Sequence, residues 1–275
     1  MTGHPTAQVC QVLRIGRATA YRGQVGRPGF YQKPADPAVQ AQIRAIIRQR
    51  GSYGYRRVTV LVNRTFGTGY NRKRIQRVMQ LAHLTVPVHR RPRRGRPHTG
   101  RIARTRSNER WCSDCCEVAA YNGDVVRIGF VLDCHDREGL ALEGWLQVPG
   151  SREIQRLFTT AVTTRFDAGR APVPVELLSD NGSVYTALST ILRAEQLGLV
   201  PITTPPASPE SNGMAEAFVN TLRRDYFAEA DISTGAAILR QLPAMLADYN
   251  TQAPHSALGM QAPSAYRQAL AAGVV

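Results

Sequence analysis

The chain has 275 residues, with 35 Lys and Arg against 20 Asp and Glu, and its formal charge of +15 points to a polyanionic partner. No apolar run reaches the roughly 18–20 residues that cross a bilayer, and Met1–Arg22 lacks the zones of a signal peptide, so a soluble cytoplasmic protein with no membrane partner is expected. Five cysteines, an odd number in a chain of this length, argue against a disulfide framework.

The charge is unevenly placed. Residues 1–107 carry 23 basic residues and one acid, Asp36, a net of +22, whereas residues 108–275 carry 12 basic and 19 acidic residues, a net of −7. This implies a basic binding half followed by a separately folded acidic half. All the basic residues but Lys33 and Lys73 are arginines, whose forks suit phosphates, although genomic base composition produces the same bias.

In chain order, residues 1–34 read as a short helix-turn-helix-like segment and a linker. Val9, Cys10 and Leu13 mark one helix, Ile15-Gly16-Arg17 a turn, and Ala18 to Arg22 a second helix. Residues 35–85 read as a helical DNA-binding domain. Ile43, Ile46 and Ile47 mark its first apolar face, Gly51-Ser52-Tyr53-Gly54 interrupts, and Val58, Leu61 and Val62 mark the next. Asn71 is placed to cap a third helix with Ile75, Val78 and Met79 inward and Arg72, Lys73, Arg74 and Arg77 outward. That basic face suits DNA; the competing reading is a solvated charged surface. Residues 86–107 hold eight arginines, among them Arg90, Arg91, Arg93, Arg94 and Arg96, with three prolines and two glycines, and read as an extended linker tracking a phosphate backbone.

The texture then changes to strands. Trp111–Ala120 and Val125–Cys134 flank Asn122-Gly123, a two-residue hairpin signal, and Glu138–Val148 supplies a third strand. Ser151–Phe166 is helical, with Ile154, Leu157, Phe158, Ala161 and Val162 on one face. A strand over Val173–Leu178, a helix over Tyr185–Gln196, a strand over Leu199–Thr203 and a helix after Pro209 complete a catalytic core over residues 108–230. This order is that of an α/β, ribonuclease H-like fold with a mixed five-stranded sheet. Residues 231–275 add a helix and tail, with a kink or break expected at Pro243.

Three carboxylates fall at informative places. Asp114 lies inside the first strand among Trp111, Cys112, Cys115 and Cys116, where a carboxylate needs a metal or a charged partner. Asp180 ends the fourth strand, where α/β sheets present ligand crevices. Glu216 lies in the first turns of the helix after Pro209. Two hard divalent ions, Mg²⁺ with Mn²⁺ as a substitute, about 3.5–4 Å apart, would suit such oxygens and in-line phosphoryl transfer. Asp114 is expected to bridge both ions, with Asp180 and Glu216 each completing one site. Asp133 and Asp136 are rivals, read here as polar residues of a strand end and turn.

Asp180 and Glu216 are separated by 35 residues, within Leu178-Ser179-Asp180-Asn181-Gly182-Ser183 and Ser208-Pro209-Glu210-Ser211-Asn212-Gly213-Met214-Ala215-Glu216. This resembles the DD(35)E signature of bacterial insertion-sequence transposases and retroviral integrases, more narrowly the OrfB-type transposases. Trp111-Cys112-Ser113-Asp114, Tyr53-Gly54-Tyr55-Arg56-Arg57, Tyr249-Asn250 and Pro254-His255-Ser256-Ala257-Leu258-Gly259 extend the resemblance over about residues 37–268. It implies metal-dependent cleavage and strand transfer at the terminal inverted repeats of the element, insertion into target DNA, a homo-oligomeric synaptic complex, and joint action with or fusion to an upstream-frame product. The expected setting is the bacterial cytoplasm, on the nucleoid when bound to DNA. The family pattern also places a basic residue seven positions after the glutamate, here Arg223, beside the DNA end; the family more often has lysine there. A ribonuclease H-like nuclease that only hydrolyses, and a DNA-binding repressor with a vestigial catalytic half, are the alternatives.

A zinc reading of Cys112, Cys115, Cys116, Cys134 and His135 is set aside, because alternation sends neighbouring strand cysteines to opposite faces. His4, His83, His89 and His98 have no cysteine pair to form the zinc module of retroviral integrases. His255 is read either as a neighbour of the active site or as a structural turn histidine.

Overall fold

The computed structural model describes residues 5–14, 16, 31, 33–86, 104–203 and 213–273. A short α1 (Thr6–Val12) comes first; the expected helix over Ala18–Arg22 lies outside the described residues. Apolar residues three and four apart then build a helical unit from α2 (Asp36–Ile47), α3 (Tyr55–Phe66) and α4 (Arg72–Leu81), packed on a core that includes Val39, Ile43, Tyr53, Val58, Val62, Ile75 and Met79. Asn71 caps α4, its side chain accepting from the Lys73 N–H at 2.8 Å.

The outer face of α4 differs from expectation at one residue. Arg72 and Lys73 are exposed, and Arg74 is half-buried with its guanidinium 4.8 Å from the Tyr70 ring centre. Arg77 instead turns inward, is 7% exposed, and forks Asp36 with two 2.8 Å hydrogen bonds. The guanidinium beside Asp36 lowers that carboxyl's pKa. A cation can sit at the margin of an apolar stripe only with such a partner, and here it is the sole acid of the basic half.

In the second half, β1 (Arg110–Ala119), β2 (Val125–Asp133) and β3 (Gly139–Trp145) form an antiparallel meander. After α5 (Ser151–Arg165), β4 (Val175–Ser179) lies parallel to β1, and after α6 (Ser183–Thr186) and α7 (Leu188–Gln196), β5 (Leu199–Thr203) lies parallel to β4. The strand order is β3-β2-β1-β4-β5. α8 (Gly213–Thr221) runs into a π-helical turn (Leu222–Phe227), followed by α9 (Gly235–Thr251), a 3-10 turn (Ser256–Leu258) and α10 (Pro263–Ala271). Helices cover both faces of the sheet. Cys112, Cys116, Ile128 and Phe130 pack under α8 and α9, while Trp111, Val131 and Leu177 pack under α5 and α7. A side chain at Gly144 would stand 2.5 Å from the Leu239 side chain, so glycine there lets α9 approach the sheet. No helix among the described residues is long and apolar enough to cross a membrane.

Three local expectations are corrected. The β1–β2 connection is a three-residue loop: the Ala120 N–H donates to the Asp124 carbonyl, the Gly123 N–H to the Ala120 carbonyl, and Gly123 takes φ +91°, as in a type I turn closed by a glycine bulge. The expected Tyr185–Gln196 helix breaks at extended Ala187. Tyr185 and Ala194 both enter the layer under α5, and at about 100° per residue they would face opposite sides of one unbroken helix. Finally, of the kink or break expected at Pro243 the break does not occur: α9 runs on through it, and its exposed position leaves the Leu239 carbonyl, not the core, to absorb the missing N–H.

Candidate active site

The pairing of β1 with β4 sets Trp111 opposite Leu177 and Cys112 opposite Leu178. Carried two residues on, this register sets Asp114 level with Asp180 on neighbouring strands, which run about 4.8 Å apart. Side chains alternate along a strand, and Cys112, Cys116 and Leu178 all enter the core layer under α8. The same alternation gives Asp114 and Asp180 to the face that carries α8, in whose first turn Glu216 stands exposed. Phe218, two residues on, anchors α8 to the sheet against Phe130 at 4.7 Å between ring centres.

Asp114 is half-buried, and one of its oxygens accepts from the Cys115 N–H at 2.7 Å. Asp180 is exposed and closes a tight turn by accepting from the Gly182 N–H at 3.0 Å. Their fields overlap at Cys115, whose thiol pKa is raised by burial first and then by both carboxylates. Cys116 reports the other side: burial pushes its thiol up to about 11, Asp114 adds to the rise, and the Arg223 cation opposes it. Arg223 is exposed on the first residues of the π turn, within electrostatic reach of that cysteine. In the layer on the other face of the sheet, Ser113 and Tyr185 are buried with their hydroxyls 3.1 Å apart, a support for the Asp114 strand that the sequence analysis does not single out.

Among the described residues, no three His, Cys, Asp or Glu side chains stand close enough to hold a metal ion, so the three carboxylates share a face without closing into one cluster. The donor set is all carboxylate oxygen, which fits a hard divalent cation. The residues just before α8, 204–212, lie outside the described set.

Asp133 and Asp136 belong elsewhere. Asp133 pairs with Trp111, about 10 Å along the sheet from Asp114. Both acids are fully buried, and Arg165 lies 3.6 Å from Asp133 and 3.1 Å from Asp136. Asp133 also accepts from Trp111 Nε1 at 3.2 Å, from Asn108 N–H at 2.8 Å and from His135 N–H at 2.7 Å. Burial and then Asp136 raise its pKa against the pull of Arg165. His255 is a packing residue of the tail: its ring meets Tyr249 edge-on at 4.7 Å, and burial, then Arg57 and Arg137, push its pKa down to about 4. Cys112 and Cys116 enter one core layer and Cys115 packs against the other. Arg90, Arg91, Arg93, Arg94 and Arg96 lie outside the described residues, and Arg104, at the end of the linker, pairs with Glu176.

Comparison with known proteins follows the same division of the chain. Residues 34–92 match the family model of an HTH-like domain, and residues 104–209 and 197–263 match models of the integrase core domain. The chain is 40% identical over 277 residues to the transposase InsD for insertion element IS2 of Escherichia coli, covering 96% of this chain and 91% of that protein. It is 45% identical over 190 residues to an uncharacterized protein of insertion element IS136 from Agrobacterium fabrum, covering 68% of this chain and 96% of that one. Among solved structures, a chain of the simian T-cell lymphotropic virus intasome in complex with PP2A regulatory subunit B56 gamma has the same fold, with a TM-score of 0.50 and 16% identity over 82% of this chain and 73% of that chain.

Proposed function

The chain belongs to the insertion-sequence transposases built on an integrase core, and from that membership we propose that Asp114, Asp180 and Glu216 are its catalytic carboxylates for cutting and joining DNA at the ends of its own element. The observation that supports this reading is the β1–β4 register, with Cys112 opposite Leu178, which carried two residues on would set Asp114 level with Asp180. The three carboxylates would hold divalent metal, Mg²⁺ by the hardness of the donors, which when bound activates the attacking oxygen and neutralises the leaving one in phosphoryl transfer.

The protein's own groups do the rest. Arg223, exposed on the π turn, would hold a phosphate beside the carboxylates, and the exposed Arg72 and Lys73 with the half-buried Arg74 would offer the cations of α4 to the duplex. The attacking group is water when the end is cut and a 3′-hydroxyl when it is joined to target DNA. Two ends must be held together, so the working form is a homo-oligomer on DNA in the bacterial cytoplasm, with or fused to an upstream-frame product.

The test is strand transfer from a pre-cleaved end duplex with Mg²⁺. Joined product is expected, with loss on chelation, recovery with Mn²⁺, and loss in Asp180→Asn. Hydrolysis with no joined product would favour a nuclease, and activity unchanged in Asp180→Asn would overturn the site.

A further inference from the structure

The basic and acidic halves meet through a set of contacts that serves neither phosphate binding nor the carboxylates directly. Arg57, two residues into α3, donates to Asp225 at 2.6 and 3.4 Å, and Ser52 Oγ donates to the same carboxylate at 2.5 Å. Arg224 adds two bonds of 2.7 Å, so the Asp225 side chain, 1% exposed, is ringed by donors. Burial raises its pKa, but the hydrogen bonds from Arg224, Arg57 and Ser52 outweigh that and bring it to about 2. Nearby, Arg50 forks Asp248 of α9, which also accepts from the Tyr226 hydroxyl at 2.9 Å, and the Gly51 N–H donates to Glu229 at 3.2 Å. Tyr53 is buried beneath this set with the Arg57 guanidinium 3.7 Å from its ring centre.

Asp225 lies in the π turn that continues α8, so it is on the same unbroken helical run as Glu216 and Arg223. Among the core residues of that run, Met214, Phe218, Leu222 and Tyr226 recur every four positions. In a regular α-helix each such step overshoots a turn by about 40°. The wider π turn takes up this drift, keeping Tyr226 in the core while Asp225 faces the helical unit.

We infer that Asp225 is a positioning residue: through its bonds to Arg57 and Ser52, the helical unit that grips DNA fixes the rotation of α8 and so the placement of Glu216. The inference rests on the role proposed above for Glu216. Packing of Phe218 secures the inner side of α8, and the Asp225 cluster secures the same run from the helical unit.

The test uses the full chain and two readouts. In Asp225→Asn, affinity for an end duplex is expected to be unchanged, while the single-turnover cleavage rate at saturating DNA falls on the order of tenfold to a hundredfold. Amide exchange over residues 213–221 is expected to rise, and Asp225→Glu, which keeps the charge, should recover most of the rate. Should Asp225→Asn fold poorly, Arg57→Lys, which loses the fork alone, is expected to change both readouts in the same direction by less. A rate that falls only in proportion to lost DNA binding or lost folded protein, or unchanged exchange over 213–221, would overturn the inference. Activity surviving in Asp180→Asn would instead remove the catalytic site reading and leave the exchange result to judge the latch by itself.

Discussion

The integrase core holds two groups of acids, and they are built in opposite ways. Asp133, Asp136 and Glu138 are sunk in protein around Arg165, whose side chain is 3% exposed, and their charges are answered by guanidinium and backbone N–H groups. Asp114, Asp180 and Glu216 stand half-buried or exposed along one face, and the field of the Arg223 cation reaches the same region, where Cys116 feels both it and Asp114. The first group is a neutralised structural unit. The second stands half-buried or exposed, where a partner from outside can reach it, and it is surroundings, not residue type, that separate them.

Asp180→Asn is the sharpest way to separate the two groups: strand transfer is expected to fall by roughly a thousandfold while the melting temperature holds or rises, since a like-charge neighbour is removed. Arg165→Met should do the reverse, lowering stability by about 3–5 kcal/mol because it strands buried carboxylates, and chemical denaturation would show it. Full stability in Arg165→Met would erase the distinction. His255 adds a smaller, pH-dependent term. Its folded pKa of about 4 lies below the ordinary 6.5, so its stabilising contribution is complete above 6.5 and is lost as pH falls toward 4. Thermal melts should show this acid slope flattened in His255→Asn. Smallest is Asn71→Ala, which removes the α4 cap and should cost about 1 kcal/mol by denaturant titration, with the integrase core untouched.

Periodic signals in the sequence translate closely into structure where neighbours along the chain decide the outcome. The apolar face of α5 is buried at Ile154, Leu157, Phe158, Ala161 and Val162, and β5 spans Leu199–Thr203 as its apolar run predicts. What the sequence leaves hidden depends on distant partners. Arg77 looks like a surface cation until Asp36, on another helix, is folded against it. Arg50 and Arg57 read as part of a phosphate-binding surplus, yet their partners are Asp248 and Asp225 in the acidic half. The spacing and surroundings of Asp114, Asp180 and Glu216 are legible in the sequence, whereas their common face emerges only from strand register and parity.

The parallel join of β1 to β4 also has a meaning for how the chain acquires its site. β1, β2 and β3 pair with immediate neighbours, but Trp111 finds Leu177 only after the whole meander and α5 have been threaded between them. Short-range pairings repay their loop-closure entropy early and long-range ones late. We therefore expect pulse-labelled exchange to protect the β1–β2 amides before those of β4, and simultaneous protection would refute this order. A chain that folds in this order has Asp114 in place while Asp180 is still unpaired to it, so the site proposed here would be completed only by the last strands to join the sheet.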